Sequence, residues 1–236
     1  MSMKVYVIIP AAGLGTRMSV ATHTPAPKQF LELNGIPILI HTLRAFSTVA
    51  ALARIHVAVR ANEIDRVQSQ IAEYGLEKIA TVVEGGDTRQ ASVHAALKSL
   101  PAQDDDIILV HDAVRPLIDA ASIERTIEAV TKHGAAIVGM PAIDTIKQVE
   151  RTAEGAIIGT TIPRERIVLA QTPQGFRCDI VRRIFEEAER DGFVGTDEAS
   201  LAERAGVPVA VVLGSPRNFK ITQPGDLELA EFYLSR

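Results

Sequence analysis

Val5-Tyr6-Val7-Ile8-Ile9 runs directly into Pro10-Ala11-Ala12-Gly13-Leu14-Gly15-Thr16-Arg17-Met18, and the reading of this junction decides the fold. Four of the first five residues are β-branched and none is charged, which suits a strand covered on both faces. The small residues that follow let backbone N–H groups approach an anion closely, and Arg17 adds a permanent cation with a fork of donors. In an open α/β sheet, ligands bind just beyond the carboxyl ends of the strands. Two phosphate-loop patterns are excluded. Met18 stands where the third glycine of GxGxxG belongs, and no Gly-Lys-Ser/Thr follows. Alone, the loop reads equally well as a tight turn. Lys28, in Pro27-Lys28-Gln29-Phe30 ahead of a predicted helix, brings a second cation to the same strand end and favours a phosphate ligand.

Working outward, short β-branched runs recur at Ile55–Val59, Ile79–Val83, Ile107–Val110, Ala135–Met140 and Pro208–Leu213. Between them lie helical stripes: Ile64, Val67 and Ile71; Val93, Ala96, Leu97 and Leu100; Val181, Ile184, Phe185 and Ala188. Strand alternating with helix predicts an α/β fold, a mostly parallel sheet flanked by helices. One region breaks the rhythm. From Asp144 to Pro173, Thr145–Val149, Ala156–Thr161 and Ile167–Ala170 read as short strands around Gly155, a protruding β-arm. An isolated hairpin is marginal in water, so a partner subunit is expected against it. The expectation is one domain, residues 1–236, with a dimerisation arm at about 144–173.

Composition narrows the class. Lys+Arg number 25 against 29 Asp+Glu, a net charge of −4, which excludes a globally basic nucleic-acid coat. Cys178 is the single cysteine and cannot form an intrachain disulfide. Apolar stretches such as Ile107–Val110 fall far short of the ~20 residues of a membrane span. Met1-Ser2-Met3-Lys4 leads straight into the first strand without a secretory segment. A cytoplasmic protein binding neither membrane nor nucleic acid is expected.

Further motifs follow in order: Glu84-Gly85-Gly86-Asp87-Thr88-Arg89-Gln90-Ala91-Ser92-Val93, Val110-His111-Asp112-Ala113-Val114-Arg115-Pro116, Asp144-Thr145-Ile146-Lys147, Gln171-Thr172-Pro173-Gln174-Gly175-Phe176, Gly195-Thr196-Asp197-Glu198-Ala199-Ser200 and Asn218-Phe219-Lys220-Ile221-Thr222. With the glycine loop, this ordered set resembles the sugar-nucleotide-forming nucleotidyltransferases, and within them the 2-C-methyl-D-erythritol 4-phosphate cytidylyltransferase family. The chain departs from that pattern at Ser19–Ala26, where the linker is longer by a few residues. Ribitol-phosphate cytidylyltransferases share most of these motifs, which leaves the acceptor alcohol open between the two. A non-catalytic nucleotide-binding module is the alternative from another class.

The resemblance implies a Rossmann-like sheet, a homodimer, and transfer of the cytidylyl group of CTP to methylerythritol phosphate with a divalent cation, Mg²⁺ first. It implies that Ala11, Ala12, Gly13, Gly15, Gly86, Asp87, Ser92 and Asp112 bind CTP. Arg17, Lys28 and Lys220 would act at the α-phosphate; Thr145, Arg164 and Thr196 would hold the acceptor. Asp112, at a strand end, is the expected metal ligand, since Mg²⁺ takes one or two carboxylates plus phosphate oxygens. Its neighbour His111 is expected to pack or hydrogen-bond, because strand alternation turns it away. Arg115 reads equally as a salt-bridge partner and as a substrate ligand. Thr196 is expected to cap the following helix, and Arg190 and Arg204 to be solvated charges.

Overall fold

Successive residues of a strand point to opposite faces, so a strand without polar alternation must be covered twice. Strand β1 (Val5–Pro10) is such a strand: Val5, Val7 and Ile9 enter one apolar core, Tyr6 and Ile8 another. The computed structural model describes residues 3–13 and 27–236. A single 3-10 turn at Lys28–Phe30 leads into the short hairpin β2 (Glu32–Leu33) and β3 (Ile36–Pro37) and helix α1 (Ile38–Ser47). Then come β4 (Leu52–Val59), α2 (Ile64–Glu73), β5 (Ala80–Glu84), α3 (Arg89–Ser99), β6 (Ile107–Val110), α4 (Ala120–His133) and β7 (Ala135–Pro141). The remaining elements are β8 (Ile146–Thr152), β9 (Gly155–Ile162), β10 (Val168–Arg177), α5 (Cys178–Arg190), α6 (Glu198–Arg204), β11 (Ala210–Leu213) and α7 (Pro224–Leu234).

Seven strands form the main sheet in the order β11-β7-β10-β6-β1-β4-β5. All its neighbours pair parallel except β10, which runs antiparallel to both β6 and β7. Helices α1, α2 and α4 cover one face through Leu43, Phe46, Val67, Ile71, Ile123 and Val130. Helices α3, α5 and α6 cover the other through Val93, Leu97, Val181, Phe185 and Leu201. A third, smaller core joins Leu33, Ile38, Val114 and Ile221 to Ala230 of α7. The mostly parallel α/β sheet matches the expected class. Cys178 is buried in the second core, and burial pushes its thiol up to about 11. Among the described residues no helix is long and apolar enough to cross a membrane.

The segment read as an arm divides in two. Strands β8 and β9 pair only with each other, as a hairpin closed at Gly155, whose φ of +144° favours glycine. Residues 168–173, expected within the arm, belong instead to β10 and the main sheet. Pro173 and the polar run around it hid this strand, because proline normally argues against a central position. The sheet accommodates it by slipping register against β7 between Ala170 and Gln174. Thr172 falls in that irregularity.

Phe176 of β10 is fully buried in the α3/α5/α6 core. Phe176→Ala should destabilise the protein by roughly 3–5 kcal/mol through lost burial and a residual cavity. Urea unfolding of both proteins checks this; an unchanged midpoint would place Phe176 outside the cooperative core.

Candidate active site

Parallel strands β1, β4, β5 and β6 end on the same edge of the sheet, and the chain leaves each through a segment lining one cleft of about 330 Å³. Ala11–Gly13 follow β1, Arg60 follows β4, Gly86–Arg89 follow β5, and Asp112–Val114 follow β6. The glycine loop is pinned from behind. Buried Gln29 donates from Nε2 to Ala11 O (2.6 Å) and Gly13 O (3.1 Å), and Arg60 Nε donates to Ala12 O (2.9 Å). The turn after β5 packs too tightly for side chains: a Cβ on Gly85 would lie 2.9 Å from Ser92 Oγ, and one on Gly86 would lie 2.6 Å from the Ala91 Cβ. Thr88 caps α3 by accepting from Ala91 N–H (3.0 Å), so this helix starts at the cleft. Ser92 Oγ lies 3.0 Å from Gly86 O and 2.8 Å from Thr88 O; its hydroxyl serves the turn.

Asp112 is the charged centre of the site. Its Oδ1 meets Arg89 Nε at 3.3 Å, and its Oδ2 meets Arg115 Nε at 3.2 Å and Lys220 Nζ at 3.0 Å. Burial would raise the pKa of this carboxyl, but Lys220, Arg89 and Arg115 outweigh it and hold the group far below the usual carboxylate range. Arg115 also donates to Asn218 O (2.7 Å), and Ile221 N–H to Val114 O (2.9 Å), which fastens the segment carrying Lys220 to the β6 loop. Lys28 Nζ lies 3.4 Å from Ile221 O at the same end of the cleft. Arg89 completes the cluster with a two-pronged pair to Glu198 at 2.7 and 3.0 Å. Burial pushes the Glu198 carboxyl up against the pull of Arg89, and the fork geometry is that of an ion pair.

His111 packs, as expected, edge-on against Phe46, with its ring centroid 4.9 Å away. Thr172 Oγ1 accepts from Asp112 N–H (3.0 Å), so its own proton points to His111 Nδ1 (3.0 Å), and Nε2–H donates to Arg115 O (3.1 Å). Burial holds this imidazole neutral and lowers its pKa to about 4. Arg115 is a salt-bridge partner, 8% exposed.

Of the residues expected from sequence, Ala11, Ala12, Gly13, Lys28, Gly86, Asp87, Ser92, Asp112 and Lys220 line the cleft together. Gly15, Arg17 and the long linker Ser19–Ala26 lie outside the described residues. Thr145, Arg164 and Thr196 do not reach the cleft of their own chain. Thr145 is exposed beside β8, and Arg164, just after β9, donates to Ile143 O. Thr196 is exposed, and the cap of α6 is Asp197, not Thr196. Asp197 Oδ1 accepts from Ser200 N–H (2.9 Å) because a carboxylate is the stronger acceptor at a helix start. Arg190 and Arg204, expected to be solvated charges, both pair with Asp191, at 3.0 and 2.6 Å, and Arg204 also lies over the Phe193 ring. Gln29, Arg60 and Arg89 had no role in the sequence reading. Arg89 stands inside a matched motif, yet only the fold shows that it faces Asp112.

Four cationic side chains, Lys28, Arg60, Arg89 and Lys220, and two carboxylates, Asp87 and Asp112, line the described cleft of a chain with net charge −4. A polyanion is what such a site attracts. Among the described residues no group of three His, Cys, Asp or Glu could hold a metal alone. A divalent cation in this cleft would have to arrive with its phosphates, because the described residues offer too few carboxylates to hold one alone.

A mostly parallel α/β sheet with a glycine-walled cationic cleft at its carboxyl edge is built to take a phosphorylated ligand such as a nucleotide. The family model described as "IspD: 2-C-methyl-D-erythritol 4-phosphate cytidylyltransferase" matches residues 5–236, and the chain belongs to that family. It is 69% identical over 233 residues to the 2-C-methyl-D-erythritol 4-phosphate cytidylyltransferase of Acidobacterium capsulatum, covering 98% of each chain. The protein of the same name from Solibacter usitatus is 48% identical, over 98% of this chain and 96% of its own. Among solved structures, the 4-diphosphocytidyl-2C-methyl-D-erythritol synthase of Anaerococcus prevotii superposes with a TM-score of 0.83 at 28% identity, covering 99% of this chain and 97% of its own.

The buried imidazole gives a pH test. Between pH 6.5 and about 4 the unfolded chain binds a proton at His111 that the folded chain refuses, so stability falls as pH drops through this window. Going from pH 7 to pH 5, this group should remove roughly 2 kcal/mol. Urea midpoints for the parent and His111→Gln at both pH values check it: the variant should show a shallower loss, and identical losses would acquit His111.

Proposed function

We propose that this protein transfers the cytidylyl group of CTP to 2-C-methyl-D-erythritol 4-phosphate, giving 4-diphosphocytidyl-2-C-methyl-D-erythritol and pyrophosphate in isoprenoid biosynthesis. The observation that carries the reading is the meeting of Lys28, Arg89 and Lys220 with the glycine turns in one cleft of a chain that matches the family over nearly its whole length.

The acceptor's phosphate monoester has a second pKa of about 6, so it is already mostly ionised near pH 7 and needs no strong general base. Its oxygen attacks the α-phosphorus of CTP, the bond to the β-phosphate breaks, and pyrophosphate carries the electrons away. The protein's task is to bring two polyanions together and neutralise the charge between them. Ala11–Gly13 and the Gly85–Gly86 turn offer backbone at close range to the nucleotide, Asp87 standing exposed at the nucleoside end. Lys28 and Lys220 stand together at the phosphate end, and the family resemblance assigns Arg17 to the same phosphate. Mg²⁺, held by Asp112 and the triphosphate, would screen the phosphate charges when bound. Lys220, 35% exposed at its side chain, is then placed to leave Asp112 for a phosphate oxygen.

Thr145 and Arg164 point to a homodimer. Both lie at the foot of a hairpin that exposes Val149, Ile157 and Ile158, and neither reaches its own cleft. The arm of one subunit would carry them to the acceptor bound in its partner, Arg164 making a forked contact with phosphate. The substrates and the single buried thiol support the expected cytoplasmic location.

Pyrophosphate release is the direct test. The parent should turn over CTP with methylerythritol phosphate far faster than with ribitol 5-phosphate, and Lys28→Ala should lower kcat about 10²–10³-fold with a smaller change in KM for CTP. Faster release with ribitol phosphate would reassign the acceptor; tight CTP binding without release would make the chain a binding module. Subunit mixing tests the arm. Lys28→Ala and Arg164→Ala are each expected to be nearly inactive. Mixed under exchange conditions, about half the dimers are hybrid and about a quarter of all sites combine an intact cleft with an intact arm. A mixture that stays inactive would place the arm's action within its own chain.

A further inference from the structure

Glu198 does not line the cleft, yet it is a buried charge, 1% exposed, at the first residue of α6. Its charged partner is Arg89, each of whose three side-chain nitrogens is engaged: Nη1 and Nη2 with the two oxygens of Glu198, Nε with Asp112. Both carboxylates are thereby held by one planar group. The loop before α6 is fixed from the same helix turn and from β10. Gly195 N–H donates to Gln90 Oε1 (2.9 Å), Gln174 Nε2 to Asp197 Oδ2 (2.8 Å), and Ala199 N–H to Gln174 Oε1 (2.9 Å). Thr196 is left exposed between these anchors.

We propose that the Arg89–Glu198 pair is a positioning strut that holds the Asp112 carboxylate of the nucleotide cleft in fixed register with the 195–197 loop. The inference rests on the transfer reaction above and on the family resemblance that assigns Thr196 of that loop to the acceptor. A buried ion pair is a weak source of stability, since apolar groups of the same size commonly do as well. What it supplies is direction: a guanidinium fork fixes both distance and plane, which an ammonium does not. Displacement of a reacting group by about 1 Å can cost about 100-fold in rate. Two substrates bound by different loops meet in line only if those loops are fixed to each other. Glu198 touches no substrate and acts through Arg89.

The test begins with the parent, whose pyrophosphate release from CTP and methylerythritol phosphate must be established first; its absence would refute the reaction and not the strut. Glu198→Gln keeps the shape and removes the charge. At saturation with both substrates it should lower kcat about tenfold and leave KM for CTP within about twofold. In the Asp112→Asn background the same change should add less than about twofold, because the two act as a unit. Far-UV circular dichroism and the Tm report folding, and Arg89→Lys, which keeps the charge and loses the fork, takes the place of Glu198→Gln in the cycle if that variant does not fold. A parent-like kcat, whatever the Tm, would make the pair structural only. Losses that multiply in the double variant would show that Glu198 works apart from Asp112. Either outcome overturns the proposal.

Discussion

A single buried carboxylate organises this protein. Asp112 sits at the end of β6 with three cations, Arg115 from its own loop and Arg89 and Lys220 from distant parts of the chain. Taking a carboxylate out of water costs several kcal/mol, recovered only where the surrounding donors are well placed. The donors around Asp112 are placed by separate means: Arg89 by Glu198, Arg115 by Asn218 O, and the Lys220 segment by its backbone bond to Val114. Removing Asp112 would leave Arg115, buried beneath the cleft, without its carboxylate. The shared carboxylate gives the start of α3, the β6 loop and the 218–221 segment a common point of attachment, and the cleft its walls.

The sheet sets where that point falls. In parallel neighbours all the strands end on one edge, so the segments after β1, β4, β5 and β6 converge without long excursions. The antiparallel β10 serves a different purpose. It reaches the same edge from the opposite direction, and its register slip turns Thr172 to the backbone of Asp112 and to His111. A neutral His111, fixed in one tautomer between Thr172 and the Arg115 carbonyl, then holds the β6 loop from beneath. An imidazole that burial keeps uncharged is suited to this, because it adds no charge to a crowded site.

Two features lie apart from the carboxylate. The β8–β9 hairpin belongs to a separate sheet and leaves Ile157 and Ile158 exposed, so its apolar surface is not spent on its own subunit. The loop at 195–197 is tied to the centre only through α3 and β10. Both carry polar groups assigned to the acceptor, whereas the nucleotide's residues are on the rigid edge of the sheet.

Much of this was legible in the residues. Short apolar runs located β1, β4, β5, β6, β7 and β11 to within a few residues; the central strands, covered on both faces, have no alternation to blur them, whereas β11 is an edge strand with Val211 and Leu213 exposed. The small-residue turns after β1 and β5, with Lys28 and Asp112, marked the cleft, because close backbone approach and charge at a strand end are local properties. What the sequence could not supply were contacts between residues far apart along the chain. The pairing of Arg89 with Glu198, 109 positions away, has no local signature, and neither does the role of Thr172, 60 positions from Asp112. Of strand β10 only Ile167–Ala170 was read as strand, its continuation concealed by Pro173, and the cap of α6 was expected at Thr196 where the stronger acceptor Asp197 takes it. Periodicity and turn chemistry are set by neighbours in the chain and so determine the elements. Which charge meets which is set by how those elements pack, and only the tertiary structure decided it.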